Sequence, residues 1–86
     1  MKAYPRILSV GEAALTVEFG NQANEALNRK VQALDAALQA NPFPGLLETV
    51  PTYRSLLVLY DPLLATEAQA REAVEQALQC LAVTPA

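Results

Sequence analysis

Residues 46–62 read LLETVPTYRSLLVLYDP, in which a polar turn joins two short apolar runs and Asp61-Pro62 closes the stretch. The first run, residues 46–50, ends at Pro51, and proline is tolerated in sheets only at strand ends and edges. The second run, residues 56–60, is apolar on both faces, which is typical of a strand in the interior of a sheet. Since only a few residues separate the runs, the stretch predicts a β-hairpin whose second strand is central.

Upstream of this hairpin, the sequence predicts two further strands. Residues 6–10 are short and apolar, and Gly11-Glu12 follows them as a turn signal. Residues 13–19 then alternate with a period of two, which places Leu15, Val17 and Phe19 on one face of a strand. We expect these two strands to pair antiparallel.

Two helices are predicted, one before the hairpin and one after it. From about residue 24 to residue 40, apolar side chains recur at helical spacing, with Asn21 or Asn24 as the cap and Asn41-Pro42 as the stop. This stripe contains Leu27, Val31, Leu34 and Leu38. The second helix begins at a capping box, Thr66 to Gln69. Its predicted buried stripe contains Ala70, Val74, Ala77, Leu78 and Leu81.

The order β-β-α-β-β-α fills all 86 residues without an internal linker, so we expect a single domain over residues 1–86. One-sided helices and a sheet form two layers around one core. The predicted fold is therefore α+β, with a four-stranded, mainly antiparallel sheet and two helices on one face. Because the central strand is apolar on both sides, the uncovered face should dimerise or pack against another domain.

Composition excludes several classes of function. With 52% apolar and 17% charged residues, the chain should fold rather than stay disordered. Its net charge of −3 and its lack of a Lys/Arg cluster argue against nucleic acid and anionic membranes as partners. The longest apolar runs are far below the roughly 20 residues that span a bilayer, and no signal-like N-terminus is present. We expect a cytoplasmic protein.

The residue types of common active sites are scarce. The chain has no histidine, and its single cysteine, Cys80, excludes an internal disulfide. The apolar helical repeat around Cys80 predicts a buried, unreactive side chain. A Gly-rich phosphate loop, a metal-spaced ligand set and a catalytic triad are all missing from the sequence. We therefore assign no catalytic residue and expect no metal site.

One polar cluster, Tyr53-Arg54-Ser55, stands out because it lies directly before the most apolar strand. Arg54 could hold a carboxylate or phosphate in a bidentate fork, which makes the three residues candidates for a substrate or subunit interface. The alternative is an ion pair of Arg54 with Glu48 or Asp61 that anchors the sheet edge. Composition alone favours the ion pair.

Three stretches resemble the amino-terminal part of the KipI family, whose members are also called the B subunit of 5-oxoprolinase or allophanate hydrolase subunit 1. They are GEAALTVEFG at 11–20, NRKVQAL at 28–34 and PGLLETVPTYRSLLVLYDP at 44–62. The resemblance covers nearly the whole chain and implies a DCoH-like β2-α-β2-α domain. Complete members of the family continue into a larger cyclophilin-like barrel, and this sequence ends where that domain should begin.

The resemblance also implies a function for the complete proteins. They pair with a KipA-like subunit and, with a LamB-like subunit, carry out the ATP-dependent hydrolysis of 5-oxoproline to glutamate. Alternatively, some members inhibit the autophosphorylation of a histidine kinase. In either role this module is expected to bind no cofactor itself and to serve as a scaffold, an interface or a homodimerisation module.

Overall fold

The structure, a computed structural model, describes residues 4–21 and 24–83. Its elements are β1 (Arg6–Ser9), β2 (Ala14–Glu18), α1 (Glu25–Ala40), β3 (Leu46–Pro51), β4 (Ser55–Tyr60) and α2 (Glu67–Val83). This is the predicted order, and each of the four strands and α1 lies within one residue of its predicted bounds. The α+β fold class is confirmed.

The four strands form one antiparallel sheet in the order β1-β2-β4-β3. Strand β4 lies between β2 and β3, so the prediction of a central strand over residues 56–60 is confirmed. The register pairs Val17 of β2 with Leu56 of β4. A bulge between Leu46 and Glu48 interrupts the pairing of β3 with β4.

The core lies between one face of the sheet and the two helices. In β4 the side chains alternate, so that Leu56, Val58 and Tyr60 are buried while Leu57 and Leu59 are only partly covered. The buried residues of the main cluster come from the sheet, from the end of β2 and from both helices. They are Val17, Phe19, Val31, Leu34, Leu38, Leu56, Val58 and Val74. Both helices therefore pack on the same face of the sheet, as predicted.

Helix α1 begins and ends as its sequence indicates. Of the two asparagines considered as caps, Asn24 is the N-cap, and its side chain accepts a hydrogen bond of 2.8 Å from the Leu27 N–H. At the other end the Asn41 N–H donates to the Ala37 carbonyl, and Pro42 follows. The helix thus connects β2 to β3 across the covered face of the sheet.

Helix α2 begins at the predicted capping box. The Thr66 N–H donates to Gln69 Oε1 at 2.9 Å, and the Gln69 N–H donates to Thr66 Oγ1 at 3.1 Å. Cys80, however, is exposed, so the prediction of a buried cysteine is wrong. Successive helical residues are about 100° apart, and the stripe that passes through Leu78 and Leu81 leaves Cys80 on the solvent side.

Candidate functional site

Thr52 and Ser55 close the turn between β3 and β4. The Thr52 N–H donates to the Ser55 carbonyl at 2.8 Å, and the Ser55 N–H donates to Thr52 Oγ1 at 3.1 Å. Their two hydroxyl oxygens share a hydrogen bond of 2.6 Å. The Ser55 hydroxyl, one of the predicted site groups, is therefore engaged in closing the turn.

Arg54 ties this turn to the segment that leads into α1. Its Nη1 donates to the Gly20 carbonyl at 3.1 Å, and its own carbonyl accepts from the Phe19 N–H at 3.0 Å. The ion pair with Glu48 or Asp61 that composition favoured is not formed, so that interpretation is wrong. Both carboxylates lie toward the other end of β4, a strand of six residues that is about 20 Å long.

Tyr53 occupies the tip of the turn. Its carbonyl accepts a hydrogen bond of 3.2 Å from Asn28 Nδ2, which links the turn to the first turns of α1. Its side chain is about half exposed. Of the three candidate residues, Tyr53 presents a phenol ring to solvent and Arg54 presents the remaining N–H groups of its guanidinium. The free N–H groups of the guanidinium can donate hydrogen bonds to a carboxylate or phosphate, and the phenol O–H can donate another.

The sheet has an open face, the one that carries no helix. Its residues lie in rows across the strands: Arg6, Glu18 and Ser55, then Leu8, Thr16, Leu57 and Val50, then Ala14, Leu59 and Glu48. Arg6 and Glu18 form an ion pair of 2.8 Å that borders the apolar rows. Leu8 and Val50 are each 38% exposed. The predicted face without a helix therefore exists, and its central row is apolar apart from Thr16.

A second apolar surface lies where β3 begins and β4 ends. The leucine corner consists of Leu47, Leu63 and Leu64, which are 66%, 91% and 65% exposed. The sequence-based predictions did not include this surface. The available signal was that Leu63 and Leu64 lie between Pro62 and the capping box, outside any element whose periodicity would have buried them.

The leucine corner borders a groove of about 360 Å³. The apolar wall of this groove is formed by Phe43, Pro44, Leu64 and Ala65. Helix α2 forms the opposite wall, which is polar at Gln69, Glu72 and Gln76 and also includes Ala73. An apolar side chain with a cationic or amide tip would find suitable contacts on both walls.

The outer edge of the sheet is fastened to α2 by a small polar cluster. Ser9 Oγ donates to Glu67 Oε2, and Arg71 Nη2 donates to the same oxygen at 3.2 Å. Arg71 Nη1 donates to the Ile7 carbonyl at 2.8 Å. The hydrogen bond from Ser9, and then that from Arg71, hold the pKa of Glu67 below its ordinary value. Arg71 thereby covers a backbone acceptor at the edge strand.

Within residues 4–21 and 24–83, no three His, Cys, Asp or Glu side chains come together as a set of metal ligands. No helix among the described residues combines the length and the apolar character needed to cross a bilayer.

Comparison with known proteins agrees with the resemblance. The family of the carboxyltransferase domain, subdomain C and D, matches residues 5–85. The chain is 39% identical over 56 residues to the B subunit of 5-oxoprolinase from Bacillus subtilis strain 168, a match that covers 65% of this chain and 23% of that protein. The chain thus spans only a minor part of the length of this curated relative.

Two solved structures have the same fold. The N-terminal domain of the histidine kinase inhibitor KipI from Bacillus subtilis superposes with a TM-score of 0.72 at 30% identity, covering 86% of this chain and 83% of that one. A conserved uncharacterized protein from Pyrococcus horikoshii superposes with a TM-score of 0.80 at 33% identity, covering 84% of this chain and 33% of that one. The chain belongs to the family of carboxyltransferase subdomains C and D, within which it is an N-terminal domain of the type found in KipI and in the B subunit of 5-oxoprolinase.

Proposed function

We propose that this chain is the non-catalytic N-terminal module of a KipI-like B subunit of 5-oxoprolinase. In this role it acts with KipA-like and LamB-like subunits in the ATP-dependent hydrolysis of 5-oxoproline to glutamate. The 39% identity to the Bacillus subtilis B subunit supports the proposal. ATP is used by the complex, and the module itself binds no cofactor.

The proposal depends on one observation: the polar side chains of the hairpin turn bond to one another and to the backbone, whereas apolar side chains of the sheet are left without a helix to cover them. Thr52, Arg54 and Ser55 use hydrogen-bonding groups to hold the hairpin turn. The open face, by contrast, presents Leu8, Leu57 and neighbouring apolar side chains without a helix to cover them. A module of this kind supplies rigid surfaces to other chains, since continuous exposed apolar area marks interaction sites.

Tyr53, Arg54 and Ser55 are proposed to lie near the joint active site or a subunit contact. Arg54 uses one N–H group on the Gly20 carbonyl, and a guanidinium has five N–H donors in all. The remaining N–H donors of Arg54 are proposed to contact a carboxylate or phosphate. The Gly20 carbonyl holds the guanidinium at the turn, and Tyr53, which is about half exposed, directly precedes Arg54 in the chain.

Reconstitution of the complete KipI-like subunit with its cognate KipA-like and LamB-like subunits tests both claims. Arg54→Ala should lower ATP-dependent 5-oxoproline hydrolysis, and Arg54→Lys should restore only part of it, since lysine lacks the planar fork. The matched control is Asn28→Ala, which removes the other tether of the same turn and keeps the guanidinium. Unchanged turnover in Arg54→Ala refutes the site, and unchanged turnover after removal of the whole module refutes the function.

A second candidate function is a KipI-like inhibitor of histidine kinase autophosphorylation. The observation in its favour is the superposition on the N-terminal domain of KipI, most of whose length is covered. The measurement is autophosphorylation of a cognate kinase in the presence of the complete protein with and without this module. If inhibition does not depend on the module, the module has no part in that role.

The open face is also the proposed surface for homodimerisation. Leu8, Leu57 and Val50 lie in one row across the four strands, with Thr16 between Leu8 and Leu57, so two copies could pack these rows face to face. Sedimentation of the chain over a range of concentrations should reveal self-association, and Leu57→Arg should abolish it. A strict monomer at high concentration contradicts homodimerisation and leaves packing against a neighbouring domain as the use of this face.

A further inference from the structure

The leucine corner exposes more apolar surface than the fold requires. Leu63 is 91% exposed, and Leu47 and Leu64 are about two-thirds exposed. Single exposed leucines are ordinary on protein surfaces, but three in one place form a patch. Nothing in the helices or the sheet needs leucine at residues 63 and 64, since both lie in the loop between β4 and α2.

The loop that carries these leucines is held in one conformation. Asp61 Oδ1 accepts from the Leu63 N–H at 2.9 Å, and the Asp61 carbonyl accepts from the N–H groups of Leu64 and Ala65 at 2.9 and 3.0 Å. The Asp61 N–H in turn donates to the Gly45 carbonyl at 2.8 Å. Because the backbone is already ordered, little conformational entropy is lost when the leucines are buried by a partner.

Gly45 and the β3 bulge fix the other side of the leucine corner. Gly45 has φ +100, and a Cβ there would lie 3.1 Å from Ala65 Cβ and 3.2 Å from Leu64 Cβ. The bulge between Leu46 and Glu48 inserts Leu47 as the extra residue of β3. Bulges re-aim side chains at strand ends, and here the result is an exposed leucine beside a close backbone crossing.

Charge is divided between the two ends of the sheet. Around the leucine corner lie carboxylates from the β1–β2 turn, β3, the loop and α2, which are Glu12, Glu48, Asp61, Glu67 and Glu72. Arg71, the cation at this end among the described residues, is engaged by Glu67 and by the Ile7 carbonyl. The opposite end carries the cations Arg6, Arg29, Lys30 and Arg54 against two carboxylates, Glu18 and Glu25, so it is the more basic of the two ends.

This distribution specifies the chemistry of the partner. An apolar patch with an acidic surround attracts a surface whose recess is apolar and whose rim carries Lys or Arg. Glu72 is the best-placed carboxylate, since it lines the groove that Leu64 borders. The leucine corner lies at the end of the sheet where α2 begins. Helix α2 is about 26 Å long, so its last residues, like the first residue of β1, lie at the opposite end of the sheet.

We propose that the leucine corner is a docking surface for a partner protein with an apolar recess rimmed by Lys or Arg. The inference rests on the proposed function, under which this partner is the KipA-like subunit. Leu63 and Leu64 enter the recess, and Glu72 meets the basic rim. The open face is left for homodimerisation or for a neighbouring domain.

The test is the affinity of the complete KipI-like subunit for its cognate KipA-like subunit, measured by titration calorimetry. The double variant Leu63→Ser, Leu64→Ser should weaken binding about tenfold or more, since buried anchors dominate interface energies. The double variant Ala33→Ser, Ala36→Ser on the exposed face of α1 is the control and should bind as the unaltered protein does. Unchanged thermal unfolding of the leucine variant excludes misfolding as the cause.

A charge variant tests the basic rim separately. Glu72→Lys should weaken binding severalfold at low salt, and the loss should shrink as salt screens the rim. Glu25→Lys makes the same charge change at the start of α1, at the opposite end of the sheet, and should have a much smaller effect. Equal losses in the two variants would contradict a rim that Glu72 meets directly.

Each outcome decides a different claim. If the unaltered protein does not bind the KipA-like subunit, the proposed function fails, and with it the named partner. If binding occurs and the leucine variant binds equally well, the docking surface is refuted while the function stands. Loss of binding in Leu8→Ser, Val50→Ser on the open face, with binding retained in the leucine variant, would also refute it.

Discussion

The two ends of β4 show opposite uses of the same chain. At the Ser55 end, the residues with chemically active side chains, Thr52, Arg54 and Ser55, hold the turn through hydrogen bonds. At the Tyr60 end, Leu47, Leu63 and Leu64 are exposed and make no comparable set of polar contacts with their side chains. Polar groups in a turn gain most by satisfying one another, because a polar group left without a partner costs free energy. Residue type alone is therefore a poor guide to which end contacts other molecules.

The largest expected loss of stability concerns the buried side of β4, which lies between its two ends. Leu56→Ala should lower the free energy of unfolding by about 2–5 kcal/mol, because Leu56 is fully buried and its removal leaves a cavity. Leu57→Ala, one residue along and on the open face, should cost about 1 kcal/mol or less. Urea unfolding of the two variants measures the difference.

If the two variants lose equal stability, the open face is covered in solution by another surface. A domain of this length has a stability of roughly 5–12 kcal/mol, so Leu56→Ala could unfold it outright. Leu56→Val, with an expected loss of about 1 kcal/mol, then provides the milder comparison.

The next effect is confined to the leucine end. Gly45→Ala should cost about 1–3 kcal/mol, because its φ of +100 disfavours any side chain and the new methyl would crowd Ala65. Gly11→Ala is the matched control: it also has a positive φ, +69, but has nothing within 4 Å of the added Cβ. Thermal unfolding of both variants should show the larger loss for Gly45. Equal losses of stability in the two variants would mean that Leu64 and Ala65 move aside for the new methyl group at no cost in free energy.

A smaller effect is expected at the Ser55 end. Thr52→Val keeps the shape and removes the hydroxyl that bonds Ser55, so stability should fall by about 0.5–1.5 kcal/mol. Faster hydrogen exchange should be limited to the turn and its contacts with Gly20 and Asn28. Thr16→Val on the open face, at the centre of a strand, should be neutral or slightly stabilising. A global increase in exchange would contradict the local role of Thr52.

Much of the fold could be predicted because periodicity reports which face is buried. The alternation in β2 and the apolar β4 run led to the right elements, and the capping box at Thr66 led to the right start of α2. These signals are local: they depend on neighbours a few residues away.

Partners that are distant in sequence could not be predicted. Arg54 bonds a backbone carbonyl at Gly20, and backbone acceptors leave no trace in residue type, so composition favoured a carboxylate instead. Cys80 lies among apolar residues, but its helical phase relative to Leu78 and Leu81 places it on the solvent side, which the apolar composition of the stretch did not indicate. The loop that carries Leu63 and Leu64 is held in place by the Asp61 N–H on the Gly45 carbonyl, another backbone acceptor that is distant in sequence.

The smallest effect concerns the Ser9–Glu67–Arg71 cluster, which borders the leucine end. Hydrogen bonds from Ser9 and then Arg71 lower the pKa of Glu67 in the folded state. A carboxylate with a depressed pKa stabilises the fold above its unfolded pKa, which for glutamate is about 4.3, and this stabilisation is lost as pH falls through the folded pKa. The unaltered protein should therefore be more stable than Glu67→Gln at neutral pH, and the difference should vanish on acidification.

Urea unfolding at a series of pH values measures this difference, which will be small because the cluster is solvent-accessible and screened. In a background of Ser9→Ala and Arg71→Met, both donors to Glu67 are gone, so Glu67→Gln should no longer produce a pH-dependent change. If the dependence persists there, other groups cause it. If it disappears, α2 is fastened to β1 through Glu67, and the groove wall that α2 supplies to the leucine corner should loosen at acid pH.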